Sequence, residues 1–158
     1  MNVAFFIIPK SKIIYIYENN TLRQGLEKMR YHGYSAVPVL TKDGKYAGSV
    51  KEGDFLWALY GREDSHADEK IRVKEILHRE GRDPVRITAD MDDLLLKVMD
   101  QNYVSVVDDT DSFVGIVTRR DIMRYYYKKI KMLEEELQVP LFLRGKKRIT
   151  LTEAGKTL

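Results

Sequence analysis

The sequence contains no cysteine, and this absence limits the chemistry that the chain can carry out. Without thiols it has no disulfide framework, no cysteine-ligated zinc or iron–sulfur site and no thiol nucleophile. The histidines, His32, His66 and His78, lie far apart and include no pair at helical i, i+4 spacing. No nucleophile–base pair and no phosphate-binding P-loop is recognisable either. We therefore expect no catalytic residues, no metal site and no resident cofactor, so that the chain is not an enzyme.

Long hydrophobic runs and a strong charge of one sign are also missing. The longest apolar run, Val3–Ile8, is far too short to span a membrane and lacks the flanks of a signal peptide. The net charge is only +3, and basic and acidic side chains nearly balance over residues 1–130. With 44% hydrophobic and 32% charged residues, the composition is that of a globular protein. We expect a cytoplasmic protein whose first 130 residues carry no general nucleic-acid surface.

An internal repeat is the strongest pattern in the sequence. Residues 37–54 and 104–121 match at an offset of 67 positions, and each copy has two short apolar runs joined by a polar turn. This pattern predicts a β-hairpin. Each copy ends at an aspartate, Asp54 or Asp121, that is followed by apolar residues at helical spacing. An aspartate at this point can satisfy free backbone N–H groups, so a helix is predicted to follow each hairpin.

The residues upstream of the hairpins also match, at an offset of 70 positions. Predicted strands at Tyr15–Tyr17 and Val85–Ile87 each lead into a helix, for which Asn20 and Asp90 are good N-caps. The change of offset predicts that the second copy lacks three residues, in the neighbourhood of Gly33–Ser35. Each copy is then a β-α-β-β-α repeat of about 50 residues. Because one such repeat buries too little surface to be stable alone, the two copies are expected to pack together.

The repeat resembles the CBS domain pair, or Bateman module. The resemblance rests on residues 33–39 and 44–54 of the first copy and 113–121 of the second, and it covers roughly residues 3–128. It implies an α/β (α+β) fold in which two tandem β-α-β-β-α CBS units pack as a pseudo-twofold pair, followed here by a helical/β tail. The expected boundaries are residues 1–61 for the first CBS unit, 62–72 for a linker, 73–129 for the second CBS unit and 130–158 for the tail.

The resemblance also implies a function. CBS pairs are regulatory modules that commonly bind adenine nucleotides, such as AMP, ADP, ATP or S-adenosylmethionine, and in some bacterial members cyclic di-AMP. The resemblance therefore predicts a ligand-sensing protein that binds an adenine nucleotide in the cleft between its CBS units and signals to a protein partner. It also implies a homodimer formed through the CBS units.

Residues of both copies would form the first nucleotide site. Asp121 can accept hydrogen bonds from a ribose diol, and Thr118 with the adjacent arginines can bind phosphate. Tyr34 offers a stacking surface for adenine. On sequence alone, Asp121 could equally be only a helix cap, the arginines a solvated helix start, and Tyr34 a core residue. The full predicted set is Lys12, Ile13, Ile14, Tyr34, Ser35, Ala36, Thr118, Arg119, Arg120 and Asp121. Two adjacent arginines near Lys12 suit a ligand with several phosphates, such as cyclic di-AMP, although AMP, ADP or ATP fit about as well.

A second site would lie at the equivalent place with the two copies exchanged. Its predicted residues are Lys51, Asp54, Asp83, Pro84, Val85, Tyr103 and Val104. Here Lys51 replaces the serine or threonine of the family pattern, and the predicted deletion removes part of the adenine-facing segment. We expect this site to be weaker than the first one, or empty.

The last residues resemble the second half of a LysR-type winged helix-turn-helix. Leu133–Leu137 would end a recognition helix, Leu141–Arg144 and Arg148–Thr152 would form the wing strands, and Glu153–Gly155 would open the next helix. Possible DNA contacts are Arg144, Lys146, Lys147 and Arg148. The earlier helices of such a domain are absent, which favours a tail that packs on the module or on a dimer partner. The alternative is a ligand-controlled transcriptional regulator that binds DNA through this tail.

Overall fold

The computed structural model describes residues 1–78, 82–144 and 149–157. It divides the chain into two compact bodies, Met1–Arg119 and Arg120–Leu158, which we call the N-terminal and the C-terminal body. In the described residues no helix is both long enough and apolar enough to cross a membrane.

The N-terminal body contains the strands and the first helices of both repeats. The first repeat comprises β2 (Ile16–Tyr17), α1 (Leu22–His32), β3 (Ala36–Leu40), β4 (Tyr46–Lys51) and α2 (Glu52–Leu59). The second repeat comprises β5 (Val85–Arg86), α4 (Met91–Asp100), β6 (Tyr103–Val107) and β7 (Phe113–Thr118), and its last helix α5 (Arg119–Leu137) runs on into the C-terminal body. Strand β1 (Ile8–Pro9) precedes the repeats, and helix α3 (Ala67–Lys70) lies between them. Short 3₁₀ helices occupy Val3–Phe6, Lys10–Lys12 and Val73–Ile76.

Each repeat forms its own sheet, and the two sheets have the same core topology. In the first sheet, of order β2-β3-β4, β2 runs parallel and β4 antiparallel to the central strand. In the second sheet, of order β1-β7-β6-β5, strands β5, β6 and β7 repeat this arrangement, and β1 adds an extra edge strand. The predicted α+β fold with two β-α-β-β-α units is confirmed.

Helix α1 begins one residue later than the sequence predicted. Its N-cap is Thr21, whose hydroxyl accepts the N–H of Gln24, while the Gln24 side chain accepts the N–H of Thr21. Asn20 instead accepts a hydrogen bond from the N–H of Tyr17 and closes the turn after β2. Its expected role as the N-cap was therefore wrong, because two adjacent side chains can both cap a helix and only the backbone decides between them. In the second repeat Asp90 is the N-cap, as predicted.

The corrected helix start changes the alignment of the two repeats. Ile16 pairs with Val39 in one sheet and Val85 with Val106 in the other, so the offset is 69 positions between the first strands (16 to 85) and 67 between the second strands (39 to 106). The second repeat therefore lacks two residues and not three. One is lost from the helix, since α1 has 11 residues and α4 has 10, and the other is lost from the loop after it.

The core of the first repeat lies between its sheet and its helices. It is a cluster of buried aliphatic and aromatic side chains to which the strands and both helices contribute. Its members are Ile16, Leu22, Met29, Val37, Val39, Ala47, Val50, Phe55 and Val73. Burial of this apolar surface is the main favourable contribution to folding.

The first strand of the chain crosses to the sheet of the second repeat. Ile8 pairs with Ile116 and Pro9 with Gly115 in β7. A Cβ at position 115 would overlap the carbonyl oxygen of Ile8, so only glycine lets the two backbones approach this closely. The N-terminal segment just before the first predicted nucleotide-binding residues is thereby attached to the second repeat.

The C-terminal body begins with most of helix α5 and ends in a small hairpin and a helical turn. Strand β8 (Phe142–Arg144) pairs antiparallel with β9 (Ile149–Leu151), and α6 (Glu153–Lys156) follows. Thr152 caps α6 by accepting the N–H of Gly155. These elements agree with the predicted end of a long helix, two wing strands and a following helix. Lys146, Lys147 and Arg148 lie outside the described residues.

We predict that Gly115→Ala lowers the free energy of unfolding by about 1–3 kcal/mol, because β1 must move away from β7 to relieve the overlap. Urea denaturation of both proteins would measure this loss. The matched control is Gly53→Ala, since a Cβ there would meet Trp57 only at an ordinary contact distance of 3.8 Å, and alanine suits the helix α2 better than glycine. Equal losses in the two variants would contradict the account of β1.

Candidate functional site

Five of the residues predicted for the first nucleotide site line one cavity of about 160 Å³ in the N-terminal body. These five are Ile13, Ile14, Tyr34, Ala36 and Thr118. The remaining lining residues are Val37, Pro38, Asn102, Tyr103 and Ile116. Residues of both repeats line this cavity.

Local backbone geometry places these side chains at the cavity. Gly33 ends helix α1 in the left-handed conformation, with φ of 71°, and the N–H of Tyr34 then donates to the carbonyl of Met29. This turn leads the chain from the helix into β3 and leaves Tyr34 at the cavity wall, with 47% of its surface exposed. Thr118 is the last residue of β7 and lies opposite Tyr103 in the sheet.

Lys12 and Ser35, which were also predicted for the first site, are not among the residues that line this cavity. Lys12 and Ser35 are exposed, and the Ser35 carbonyl accepts the N–H of Glu52 at the start of α2. Arg120 and Asp121 belong to the C-terminal body, and their part in nucleotide binding stays a prediction.

Arg119 binds the end of helix α4, which differs from the phosphate contact that the sequence predicted. Its Nε donates to the carbonyl of Val98 at 2.6 Å, and a terminal nitrogen donates to that of Met99 at 3.3 Å. Helix α4 ends at Asp100, and the C-cap residue Gln101 is extended, unlike the left-handed glycine that follows α1. Its last carbonyl groups therefore accept hydrogen bonds from a side chain, and a cation at a helix C-terminus is favourable.

A second cavity, of about 270 Å³, shares Ala36, Asn102 and Tyr103 with the first. Its other lining residues are mostly polar: Tyr46, Ser49, Lys51, Arg82, Asp100, Gln101 and Ser105. A neighbouring cavity of about 250 Å³ is lined in part by Asp83 and Pro84. The structure thus places Lys51, Tyr103, Asp83 and Pro84, which were predicted for the second site, along these two cavities.

An ion pair between Arg82 and Asp54 lies next to the second cavity. Arg82 Nη1 donates to Asp54 Oδ2 at 2.8 Å and to the carbonyl of Ser49 at 2.5 Å, and the two charged side chains are only 15% and 12% exposed. The N–H of Lys51 also donates to Asp54 Oδ2 at 2.8 Å, and His78 Nε2 lies 3.5 Å from Oδ1. No sequence pattern marked Arg82, because its partner lies 28 positions away in the other repeat.

Two half-buried tyrosines complete the surroundings of this ion pair. The Tyr46 hydroxyl donates to the carbonyl of Arg82 at 2.6 Å, and burial raises the pKa of Tyr46 to about 12. The Tyr103 hydroxyl forms a hydrogen bond with Ser49, and burial raises the pKa of Tyr103 as well. Both phenols are therefore neutral hydrogen-bonding groups at neutral pH. Tyr103 is fixed between the two repeats and serves as a structural contact.

Two predicted residues of the second site belong to the core instead. Val104 is fully buried and Val85 is 3% exposed. Their side chains face the interior because side chains alternate between the two faces of a strand. The family pattern marks these positions, but here only their backbone groups could face a ligand.

The Asp54 carboxyl group is held in its charged form. Burial by itself would raise the pKa of Asp54, but the hydrogen bonds from Arg82 and from the Lys51 N–H outweigh this effect and leave the pKa below its ordinary value of 3.8. A carboxyl group with a lowered folded-state pKa stabilises the fold above its unfolded-state pKa, and this contribution is lost as the pH falls through the folded-state value.

We predict that the stability advantage of the wild type over Asp54→Asn is largest near neutral pH and shrinks below about pH 4, where the carboxylate takes up a proton. Urea denaturation between about pH 7 and about pH 3 would follow it. In the Arg82→Met background the same Asp54→Asn change should show a weaker pH dependence, because the guanidinium is the main favourable partner of the carboxylate. A wild-type advantage that stays constant over this range would contradict the ion pair.

Comparison with known proteins agrees with this geometry. The family model of the CBS domain matches residues 7–61 and 73–128, which together make up most of the chain. The chain belongs to the CBS domain family. A second model, the bacterial regulatory helix-turn-helix protein of the lysR family, matches residues 127–156 of this CBS protein.

Among curated proteins, the cyclic di-AMP receptor B of Bacillus subtilis is 25% identical over 140 residues, which cover 84% of this chain and 91% of the receptor. Among solved structures, that of CbpB in complex with c-di-AMP aligns with a TM-score of 0.78 at 20% identity, covering 86% of this chain and 91% of that one. The structure of CBSX2 in complex with AMP aligns with a TM-score of 0.65 at 19% identity, covering 81% and 97%. At these identities the two structural likenesses establish the fold.

Proposed function

We propose that this CBS protein is a regulatory receptor that binds an adenine nucleotide between its two CBS units. The observation that carries the proposal is the cavity that brings together Ile13, Ile14 and Tyr34 from the first part of the chain with Thr118 from the second repeat. Occupancy of such a cavity can change how the two units pack, and this change is the signal that a partner can detect.

The apolar part of the cavity suits the adenine base. Ile14 and Tyr34 offer aliphatic and aromatic surface, and the backbone at Ile14 and Ala36 can form hydrogen bonds with the base edge. A volume of about 160 Å³ is below the range of about 300–1,000 Å³ usual for complete ligand pockets. We infer that the base enters the cavity while the ribose and the phosphate lie outside it.

The sequence supplies polar groups for those outer parts of the ligand. We assign the phosphate to Thr118, Arg120 and Lys12, since cations and hydroxyl groups form strong hydrogen bonds with phosphate oxygens. We assign the ribose to Asp121. Arg119 is left out of this set because it binds the end of helix α4.

The ligand is proposed to be AMP, ADP, ATP or cyclic di-AMP. The name of the Bacillus subtilis relative, cyclic di-AMP receptor B, supports the cyclic dinucleotide, and the AMP bound in the CBSX2 structure supports a mononucleotide. A cation-rich outer site suits either ligand. The proposed role is regulatory, without a resident cofactor and without a catalysed reaction.

The proposal extends to the location, the oligomeric state and the unit boundaries of the protein. We propose a cytoplasmic homodimer built through the CBS units, with unit boundaries at residues 1–61 and 73–129, a linker at 62–72 and a tail at 130–158. We propose that the protein signals the occupancy of its nucleotide site through contact with a protein partner.

We predict that Tyr34→Ala weakens nucleotide binding about 5- to 150-fold, the effect of losing one stacking contact of about 1–3 kcal/mol, without a change in stability. Calorimetric titration of the full chain with AMP and with cyclic di-AMP would measure it. The control is Tyr31→Ala, which removes a neighbouring tyrosine that is 85% exposed. Unchanged affinity of Tyr34→Ala for a ligand that the wild type binds would contradict the assignment of this cavity.

The alternative function is a ligand-controlled transcriptional regulator. It is favoured by the match of residues 127–156 to the lysR family model and by the observed hairpin β8–β9 followed by α6. Under this alternative the basic side chains of Arg144, Lys146, Lys147 and Arg148 would contact DNA phosphates.

We predict that the full chain binds duplex DNA no more tightly than the triple variant Lys146→Ala, Lys147→Ala, Arg148→Ala at any salt concentration tested. Fluorescence anisotropy with a labelled duplex between about 50 and 200 mM salt is the measurement. If the wild type binds with a steep salt dependence that the triple variant loses, the transcriptional regulator becomes the better account.

A further inference from the structure

We propose that Arg82 closes the second nucleotide site of this protein, so that each chain binds one nucleotide only. The inference rests on the proposed function, because it concerns the same kind of ligand. It attributes the loss of binding at the second site to a specific side chain. The sequence alone attributed a weaker or empty site only to Lys51 and to a shortened loop.

Arg82 forms an ion pair with the carboxylate that would bind a ribose in the second site. Asp121 is the residue assigned to the ribose in the first site. Its counterpart in the first repeat is Asp54, which lies 67 positions earlier. A ribose diol requires free carboxylate oxygens. In the structure Oδ2 of Asp54 already accepts hydrogen bonds from Arg82 and from the Lys51 N–H, while Oδ1 faces His78.

The guanidinium of Arg82 is firmly held in this position. It donates to the carbonyl of Ser49 as well as to Asp54, and the carbonyl of Arg82 itself accepts the hydroxyl of Tyr46. These contacts tie both the side chain and the backbone of Arg82 to the first repeat. Because the pair is largely buried, a nucleotide would have to break it without full compensation from water.

The first repeat has no arginine at the equivalent position. With the offset of 69 positions that the strand register gives for this part of the repeat, the counterpart of Arg82 is Ile13. Ile13 is aliphatic and lines the first cavity, so it cannot pair with a carboxylate. The two halves of the module therefore differ at this position: an arginine pairs with Asp54 in one half, and an aliphatic residue lines the cavity in the other.

The residues that line the cavity beside Arg82 are consistent with a closed second site. The described residues that line it include Lys51 and Arg82, but Asp54 is not among them. The space of about 270 Å³ is lined by the guanidinium-bearing residue and not by the carboxylate that would hold a ribose. A nucleotide that entered it would lose the contact that orients its sugar.

The test is to replace Arg82 by the residue that occupies the equivalent place in the first site. AMP is the probe, because it carries both an adenine and a free ribose diol, and calorimetric titration of the full-length protein counts its sites. Arg82→Ile should gain one AMP site per chain relative to the wild type. Arg82→Met is the second variant in case isoleucine impairs folding, and thermal denaturation checks both. Arg72→Ile, at an exposed arginine outside the three cavities described above, is the matched control and should gain none.

The outcomes separate this inference from the proposed function. A wild type that binds two AMP molecules per chain, or folded Arg82→Ile and Arg82→Met variants that gain no site, would overturn the closure by Arg82. A wild type that binds no adenine nucleotide would overturn the proposed function, whereas a site gained in Arg82→Ile would still support the closure, since the gain is counted against the wild type. Arg82→Lys should gain no site, because the lysine keeps a cation beside Asp54.

Discussion

The two repeats are joined through their hairpin turns, and the three cavities that both repeats line depend on this contact. The N–H of Tyr46 donates to the carbonyl of Asp111 at 3.2 Å, and the N–H of Phe113 donates to that of Gly44 at 3.0 Å. The rings of Tyr46 and Phe113 stack with centroids 6.5 Å apart. A single repeat of about 50 residues would expose the sheet surface that this contact covers. A binding cavity lined by both repeats is a direct consequence, since neither half can form it alone.

The two halves are similar in fold but unequal in chemistry. The second repeat is one residue shorter in its first helix and one residue shorter in the loop that follows, and this helix is capped by Arg119 in place of a left-handed glycine. Arg82 stands where the first repeat has the aliphatic Ile13, and it forms a largely buried ion pair with Asp54. Such departures from symmetry are how a duplicated module can keep one ligand site and turn the other into a structural contact.

The sequence predicted those features that depend on local pattern. Pairs of short apolar runs around Pro38 and Val106, each pair joined by a polar turn, indicated the hairpins. The repeat pattern grouped Ile13, Ile14, Tyr34, Ala36 and Thr118, and the structure places these residues at one cavity. Local pattern could not decide between Asn20 and Thr21 as the helix cap, because both side chains can accept the same hydrogen bond. This ambiguity of one residue produced the wrong offset and the wrong size of the deletion.

The behaviour of long charged side chains was beyond prediction from sequence. Arg119 and Arg82 each have many rotamers. Val98, the partner of Arg119, takes its place when the second repeat folds, and Asp54 meets Arg82 only when the two repeats pack. The family pattern suggested a phosphate for the first arginine and gave no role to the second one. A guanidinium donates hydrogen bonds to the carbonyl and carboxylate groups that surround it in the folded protein, and these groups come from distant parts of the chain.

The central claim is that the paired repeats form a receptor for an adenine nucleotide. Thermal denaturation of the full chain with AMP, ADP, ATP, S-adenosylmethionine and cyclic di-AMP tests it most directly. A ligand present at 100 times its dissociation constant should stabilise the protein by about 2.7 kcal/mol. The account predicts such a shift with at least one of AMP, ADP, ATP and cyclic di-AMP, and its loss with the Tyr34→Ala variant at the same ligand concentration. No shift with any of them, at concentrations up to the millimolar range, would contradict it.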